Sequence, residues 1–266
     1  MPNQFVLTGQ YDYSGGRDKR GITHVTQSLI ADRTESLEAA PALAVVASQL
    51  ELDGKRGRIY GPVDLTIEPG TVTLITGRGG SGKTSVLLSL VGRLKPNKGS
   101  DLVVLGRELP AKARSVQHLT SAVGIHGLDD LDEEVTVAAT IREREAWLAR
   151  WYKIVHTPDD ARIAEVCGPV FGDAPLPGVR QRIHSLDEAD NMQLRIALAM
   201  MSSPELIVVD DIDALHDTDS RLRVWESLRV LAATGVTVIV AASTPGELRR
   251  LGWDTIPAHV VLPSRR

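Results

Sequence analysis

An apolar run, Thr71-Val72-Thr73-Leu74-Ile75-Thr76, breaks at once into a glycine-rich octet, Gly77-Arg78-Gly79-Gly80-Ser81-Gly82-Lys83-Thr84, and this leaves the chain few ways to fold. The run reads as a buried strand. Beyond the octet, Leu87, Leu90, Val91 and Leu94 recur at i, i+3, i+4 and i+7, so a helix opens at the glycines. The pattern G-x-x-x-x-G-K-[ST] suits a triphosphate. Consecutive backbone N–H groups must converge on the anion, and glycines remove the side chains that would hold the backbone away. Lys83 then offers a point charge to the β- and γ-phosphates, Thr84 a hydroxyl to Mg²⁺, and the helix its positive N-terminal end. The alternative is a flexible glycine turn between a strand and a helix; flanks of the expected type on both sides argue for the nucleotide site.

The chain has 266 residues, 42% of them apolar, enough to bury a full core. Its 30 basic and 34 acidic residues leave a formal net charge of -4, so there is no electrostatic footprint for nucleic acid or an anionic membrane. Cys167 is the single cysteine, which excludes an internal disulfide and fits a buried, inert thiol in a reducing compartment. No apolar stretch is long enough to span a membrane, and Met1-Pro2-Asn3-Gln4 opens no secretion signal. The expectation is a cytoplasmic protein that reaches a membrane through a partner.

Residues 1–40 are polar and aperiodic and read as a mobile extension, with residues 41–266 as the folded domain. Ala44 to Leu52, Arg58 to Tyr60 and Val63 to Ile67 read as short strands separated by turns. Leu102 to Gly106 and Ala122 to Ile125 read as further strands. Between about 128 and 200 the pattern is helical and charged, suggesting an inserted helical subdomain. On the expected helix from Ile141 to Tyr152, Trp147 and Trp151 stand four apart. They mark either a docking face or a helix packed by its aromatics, and packing is the simpler expectation. Met192, Ile196, Ala199 and Met200 give another helix, stopped by Ser202-Ser203-Pro204. Leu206-Ile207-Val208-Val209 then runs into Asp210-Asp211. A fully apolar strand suits a parallel sheet covered on both faces, with carboxylates at its C-terminal end, where ligands bind. A helix through Val224, Leu228 and Leu231, a strand from Val236 to Ala242, a helix around Glu247 to Leu251 and a strand at Val260 to Leu262 complete the chain.

This order resembles the ATP-binding subunit of ABC transporters over about residues 44–262. The specific features are the octet, the helix Arg195-Ile196-Ala197-Leu198-Ala199 followed by Pro204 and the Asp210 strand, and Asp213 to Arg221, which is similar to the family's D-loop and following helix. The resemblance implies an α/β P-loop NTPase fold: a parallel sheet core, an antiparallel β subdomain and an inserted helical subdomain. It also implies ATP and Mg²⁺, with residues Gly77 to Thr84 and Ser85 around the phosphates, Thr84 and Asp210 on the metal, and Lys83 and Asp211 in catalysis. As partners it implies a polytopic membrane protein and a second cassette, with no nucleic acid, and it places the chain at the inner face of the cell membrane.

The chain departs from the family elsewhere. Each ATP of the family lies between one subunit's cradle and the other's Leu-Ser-Gly-Gly-Gln motif. Counting back from Arg195, this chain has Glu188-Ala189-Asp190-Asn191-Met192, unless a shifted alignment places Ser185-Leu186 there. His126-Gly127-Leu128-Asp129 stands where a glutamine follows Gly124, and Ser243-Thr244 where a histidine is expected; the Ser243 hydroxyl can still bond a γ-phosphate. Tyr60 is the nearest aromatic to the expected adenine stack and reads better as a strand residue. Asp211 is one methylene shorter than glutamate and reads either as the water-orienting carboxylate or as a capping or loop carboxylate. Asp129, Asp130, Asp132, Glu133 and Glu134 read as a solvated loop. The function implied is a slowly hydrolysing cassette or the degenerate half of a pair. A nucleotide-dependent regulator or scaffold without transport is the alternative, and a soluble repair or translation cassette fits least.

Overall fold

The computed structural model describes residues 43–244, 253 and 257–263. The expected N-terminal extension and the expected helix around Glu247 to Leu251 lie outside the described residues. In chain order the elements are β1 (Val45–Gly54), β2 (Gly57–Ile67), β3 (Val72–Thr76), α1 (Lys83–Leu90), β4 (Asp101–Val104), β5 (Arg107–Leu109) and α2 (Ala113–Leu119). There follow β6 (Thr120–Val123), α3 (Val137–Leu148), α4 (Asp160–Phe171), α5 (Glu188–Met200), β7 (Leu206–Val209), α6 (Thr218–Ala233), β8 (Thr237–Ala242) and β9 (Ala258–Val261).

Two sheets organise them. The strands β6-β7-β8-β3-β9 form a parallel sheet, and β2-β1-β4-β5 an antiparallel one. Every residue of β3, β7 and β8 is buried. This follows from helices covering both faces, so that neither side of the pleat tolerates a charge. Alternate residues divide between two cores. Leu74, Ile207, Val209, Val238 and Val240 pack with α3, α4, α5 and α6. Ile75, Leu206, Val208, Ile239 and Ala241 pack with α1, α2 and the antiparallel sheet.

Two expectations need correction, and one helix has no counterpart among them. The predicted strands Arg58 to Tyr60 and Val63 to Ile67 are one strand, β2, whose pairing with β1 shifts register three times. The intervening Gly61 and Pro62 therefore bend a strand rather than end it. The helix α2 was not anticipated; it is seven residues long with Val116 its one buried side chain, too little for a periodic signal. The tryptophans do not pack a helix. The helix α3 ends at Leu148 and buries Val137, Ala138, Thr140 and Ile141, while Trp147 is 79% and Trp151 96% exposed. Trp151, beyond the helix end, makes an edge contact with Tyr152.

Candidate nucleotide site

The predicted cradle residues lie at the C-terminal end of the parallel sheet, where β3 turns into α1. Three features hold the loop open for an anion. Gly82 begins the helix with φ 90°, and a Cβ there would stand 2.5 Å from the Ile59 carbonyl oxygen, so β2 presses against the turn and only glycine fits. Gly79 and Gly80 face open space, with nothing among the described residues within 4 Å of where a Cβ would stand. The first turn of α1 carries no acidic residue and no side-chain cap, which leaves its N-terminal amides for a ligand.

The polar groups of the loop fit the same use. Lys83 Nζ donates to the Gly77 carbonyl at 2.9 Å, arching over the loop. The Ser81 hydroxyl is buried and has no hydrogen-bond partner among the described residues, an uncommon and costly state for such a group. The Thr84 hydroxyl donates to the Asp210 carboxylate, closing a separation of 126 residues. The other Asp210 oxygen accepts from the Asp211 N–H at 2.9 Å, and the Asp210 N–H donates to the Val123 carbonyl, so the carboxylate is fixed at the strand end. An alcohol and a carboxylate side by side are hard oxygen ligands of the kind Mg²⁺ takes, with water and phosphate completing its shell.

Asp211 follows in the left-handed region (φ 60°, ψ 27°) at the head of the short turn Ile212–Ala214. Its side chain makes no capping hydrogen bond, which leaves the water-orienting and the loop-carboxylate readings. Partial desolvation, then the carboxylates of Asp210 and Asp213, hold its carboxyl above the ordinary aspartate range, against the opposing pull of Arg195 and Lys83. A raised carboxyl is a better proton acceptor than an ordinary one. Ser243 follows Ala242, which pairs with Thr76 just before the cradle, and its N–H donates to the Asp213 carboxylate. Tyr60 is 2% exposed, its hydroxyl 2.7 Å from that of Ser89; it belongs to the core beneath α1 and offers no ring for a base. His126 extends into solvent toward Asp130.

The sequence reading missed two parts of the surroundings. Asp129 is not solvated: its carboxylate accepts from the N–H groups of Gly124 and Ile125 at 2.8 Å each and from Arg195 through both Nε and Nη2. An acidic run gives no hint of which member will find an arginine 66 residues away. At the start of α5, Asp187 is the N-cap, accepting from the Asp190 N–H. The Ser185 hydroxyl instead bonds back to the Arg182 carbonyl, so the shifted alignment does not bring it to the helix start. Glu188 accepts from the His216 N–H and pairs with its ring, while Arg223 holds both Asp187 and Asp190.

Known proteins resemble this chain in sequence and in fold. The chain is 27% identical over 227 residues to the Nod factor export ATP-binding protein I of Rhizobium meliloti, covering 85% of this chain and 64% of that one. It is 29% identical over 187 residues to the protein of the same name from Burkholderia pseudomallei, covering 70% and 58%. The chain thus spans about three fifths of the length of these relatives. Among solved structures it resembles cbiO1 from Clostridium perfringens, part of the ABC transporter complex cbiONQ, with a TM-score of 0.63 at 16% identity over 83% of this chain and 84% of that one. It also resembles an ATP-binding cassette of an ABC transporter in its ADP conformation, with a TM-score of 0.64 at 17% identity over 83% and 87%. The sequence profile described as ABC transporter matches residues 60–214, more than half of the chain and the whole distance from β2 to the turn after Asp211. That match takes in both the cradle and the Asp210 strand, and the chain belongs to the ABC transporter family.

Proposed function

We propose that this chain is a MgATP-binding, slowly hydrolysing cassette subunit that couples its nucleotide state to a polytopic membrane protein at the inner face of the cell membrane. The observation that carries the reading is the hydrogen bond between Thr84 and Asp210 at the head of α1, which sets a hydroxyl and a carboxylate together beside an open glycine loop. In this reading residues 77–85 receive the phosphates, and Lys83 leaves the Gly77 carbonyl for the β- and γ-phosphate oxygens. Thr84 and Asp210 hold Mg²⁺, which when bound neutralises charge on the transferred phosphoryl group. Asp211 orients the attacking water and accepts its proton, and Ser243 stands at the neighbouring strand end to bond the γ-phosphate.

Slow turnover follows from what faces a second cassette. Glu188 and Asp190 stand, by the count back from Arg195, where the family's motif has its leucine and first glycine, both uncharged, and neither His126 nor Ser243 reproduces the charge and hydrogen bonding of the residues usual at their positions. The membrane partner is supported by the names of the relatives, which are export ATP-binding proteins. It is supported also by the exposed Leu128, Trp147 and Leu148 on the rim of a groove between α3, α5 and the β6 edge. ATP turnover of the purified chain, alone and with a copurified membrane protein, tests the proposal. Turnover lost in Lys83→Ala and lowered in Asp211→Asn is expected; full turnover in Asp211→Asn, or no nucleotide retained by the wild type, overturns the assigned roles.

A further inference from the structure

One arginine touches both the groove under α3 and the hollow beside Asp211. Arg195, on α5, lines the groove with Asp129, Leu131 and Trp147, and lines the hollow with Asp211, Glu188 and Leu215. Its guanidinium grips Asp129 with two hydrogen bonds, 2.9 Å from Nε and 2.8 Å from Nη2. Both side chains are largely withdrawn from solvent, 17% and 19% exposed, so the fork has little competition from water. Asp130 lies further off, 3.7 Å from the same nitrogen.

What Asp129 does with its remaining lone pairs gives the pair a consequence beyond local stability. It accepts the N–H of Gly124 and of Ile125, the two residues that leave β6. That backbone in turn abuts the metal strand. A Cβ on Gly124, whose φ is 75°, would stand 2.1 Å from the Asp210 carbonyl oxygen, and the Asp210 N–H is bonded to the Val123 carbonyl. A continuous set of contacts therefore runs from α5 through Asp129 and the Gly124 main chain to the residue that bears the Mg²⁺-facing carboxylate.

We propose that Arg195 is a positioning residue for the metal half of the nucleotide site: by clamping Asp129 it fixes the backbone after β6 against Asp210 and holds the Asp210 carboxylate where Thr84 meets it. The inference rests on the nucleotide site proposed above. It separates two functions within that site. The cradle of residues 77–84 needs nothing from Arg195, whereas the Asp210 carboxylate does. Loss of the clamp should thus leave Mg²⁺-free ATP binding intact and weaken the response to the metal.

The test uses the full chain, a fluorescent ATP analogue titrated with and without Mg²⁺, and amide hydrogen exchange at Gly124 and Ile125. In Arg195→Met the Mg²⁺ concentration that gives half of the metal-dependent gain in affinity should rise about tenfold, the scale of a misplaced ligand group, while affinity in chelator changes less than about twofold. Exchange at the two amides should quicken, because their acceptor is no longer held. Arg195→Lys, which keeps the charge without the fork, should fall between, and it serves if the methionine variant does not fold. Asp129→Asn combined with Arg195→Met should be no worse than either alone, as expected of a single coupled pair. Quickened exchange with an unchanged Mg²⁺ response would reduce the clamp to a structural contact and overturn the proposal, as would no change in either readout. A wild type that binds no analogue at all would instead overturn the nucleotide-site reading beneath it, with the exchange data still reporting the clamp.

Discussion

Lys83 is the residue on which the site's charge balance turns. With a net charge of -4 the molecule as a whole does not attract a triphosphate, so the attraction has to be local. An ammonium within reach of the phosphates gives charge-assisted hydrogen bonds, and removing it should weaken ATP binding by about 10- to 100-fold. Equilibrium titration of Lys83→Ala checks this, with thermal unfolding as the control for the fold. A second residue-scale expectation concerns Cys167. It is buried in α4, and burial pushes its thiol up to about 12. A raised thiol pKa means that the reactive thiolate is still scarce at pH 9, where an ordinary cysteine is largely ionised. Alkylation of the native protein at pH 9 should therefore be slow and become fast on addition of denaturant; rapid native alkylation would contradict the assigned burial. At this scale the sequence was legible wherever a residue type is tied to a local pattern, as with the octet. It was silent where the partner is remote: nothing around Asp129 announces Arg195, and nothing around Glu188 announces His216, because side-chain ion pairs leave no periodicity.

Elements were legible in proportion to how completely they are buried. Strands β3, β7 and β8 are buried throughout and carry no charge because both faces are covered, and each stands within a residue or two of its expected place. The strand β2 looks like two in sequence because Gly61 and Pro62 are ordinary turn signals, and only its pairing with β1 over most of its length makes it continuous. The end of α3 was overrun because helical spacing of Trp147 and Trp151 cannot reveal that Ala149 turns to extended backbone at φ -74°, ψ 152°. Packing of β2 against the cradle gives a prediction at this scale. Tyr60 donates or accepts across to Ser89, and Ser89 also bonds back to the Ser85 carbonyl. Tyr60→Phe removes the cross-element bond yet leaves Ser89 satisfied, so it should cost about 1 kcal/mol of stability without changing ATP affinity. Denaturant unfolding and nucleotide titration check both halves of this, and unchanged stability would contradict the assigned hydrogen bond.

For the whole molecule the proposed function leaves a choice between self-association and pairing with a different cassette, and the start of α5 supplies a prediction about it. A helix N-terminus can receive a phosphate through its free amides. Here the Asp187 carboxylate already accepts the Asp190 N–H, and Glu188 and Asp190 stand in the same first turn, held by His216 and Arg223. The helix end is thus supplied with anions from its own chain. A second copy would have to bring the γ-phosphate of its ATP against them. A carboxylate roughly 5 Å from a phosphate charge is repelled by about 3 kcal/mol at an effective dielectric near 20, and a symmetric pair would meet this twice. The chain should accordingly remain monomeric with MgATP by light scattering, even in an Asp211→Asn background that slows turnover and preserves bound ATP. Replacing the two carboxylates, Glu188→Ser with Asp190→Gly, should move it toward a MgATP-dependent dimer. A wild-type dimer that appears with MgATP and disperses in chelator would mean that His216 and Arg223 neutralise those carboxylates well enough for a phosphate to approach, and the argument for an unlike partner would then fail.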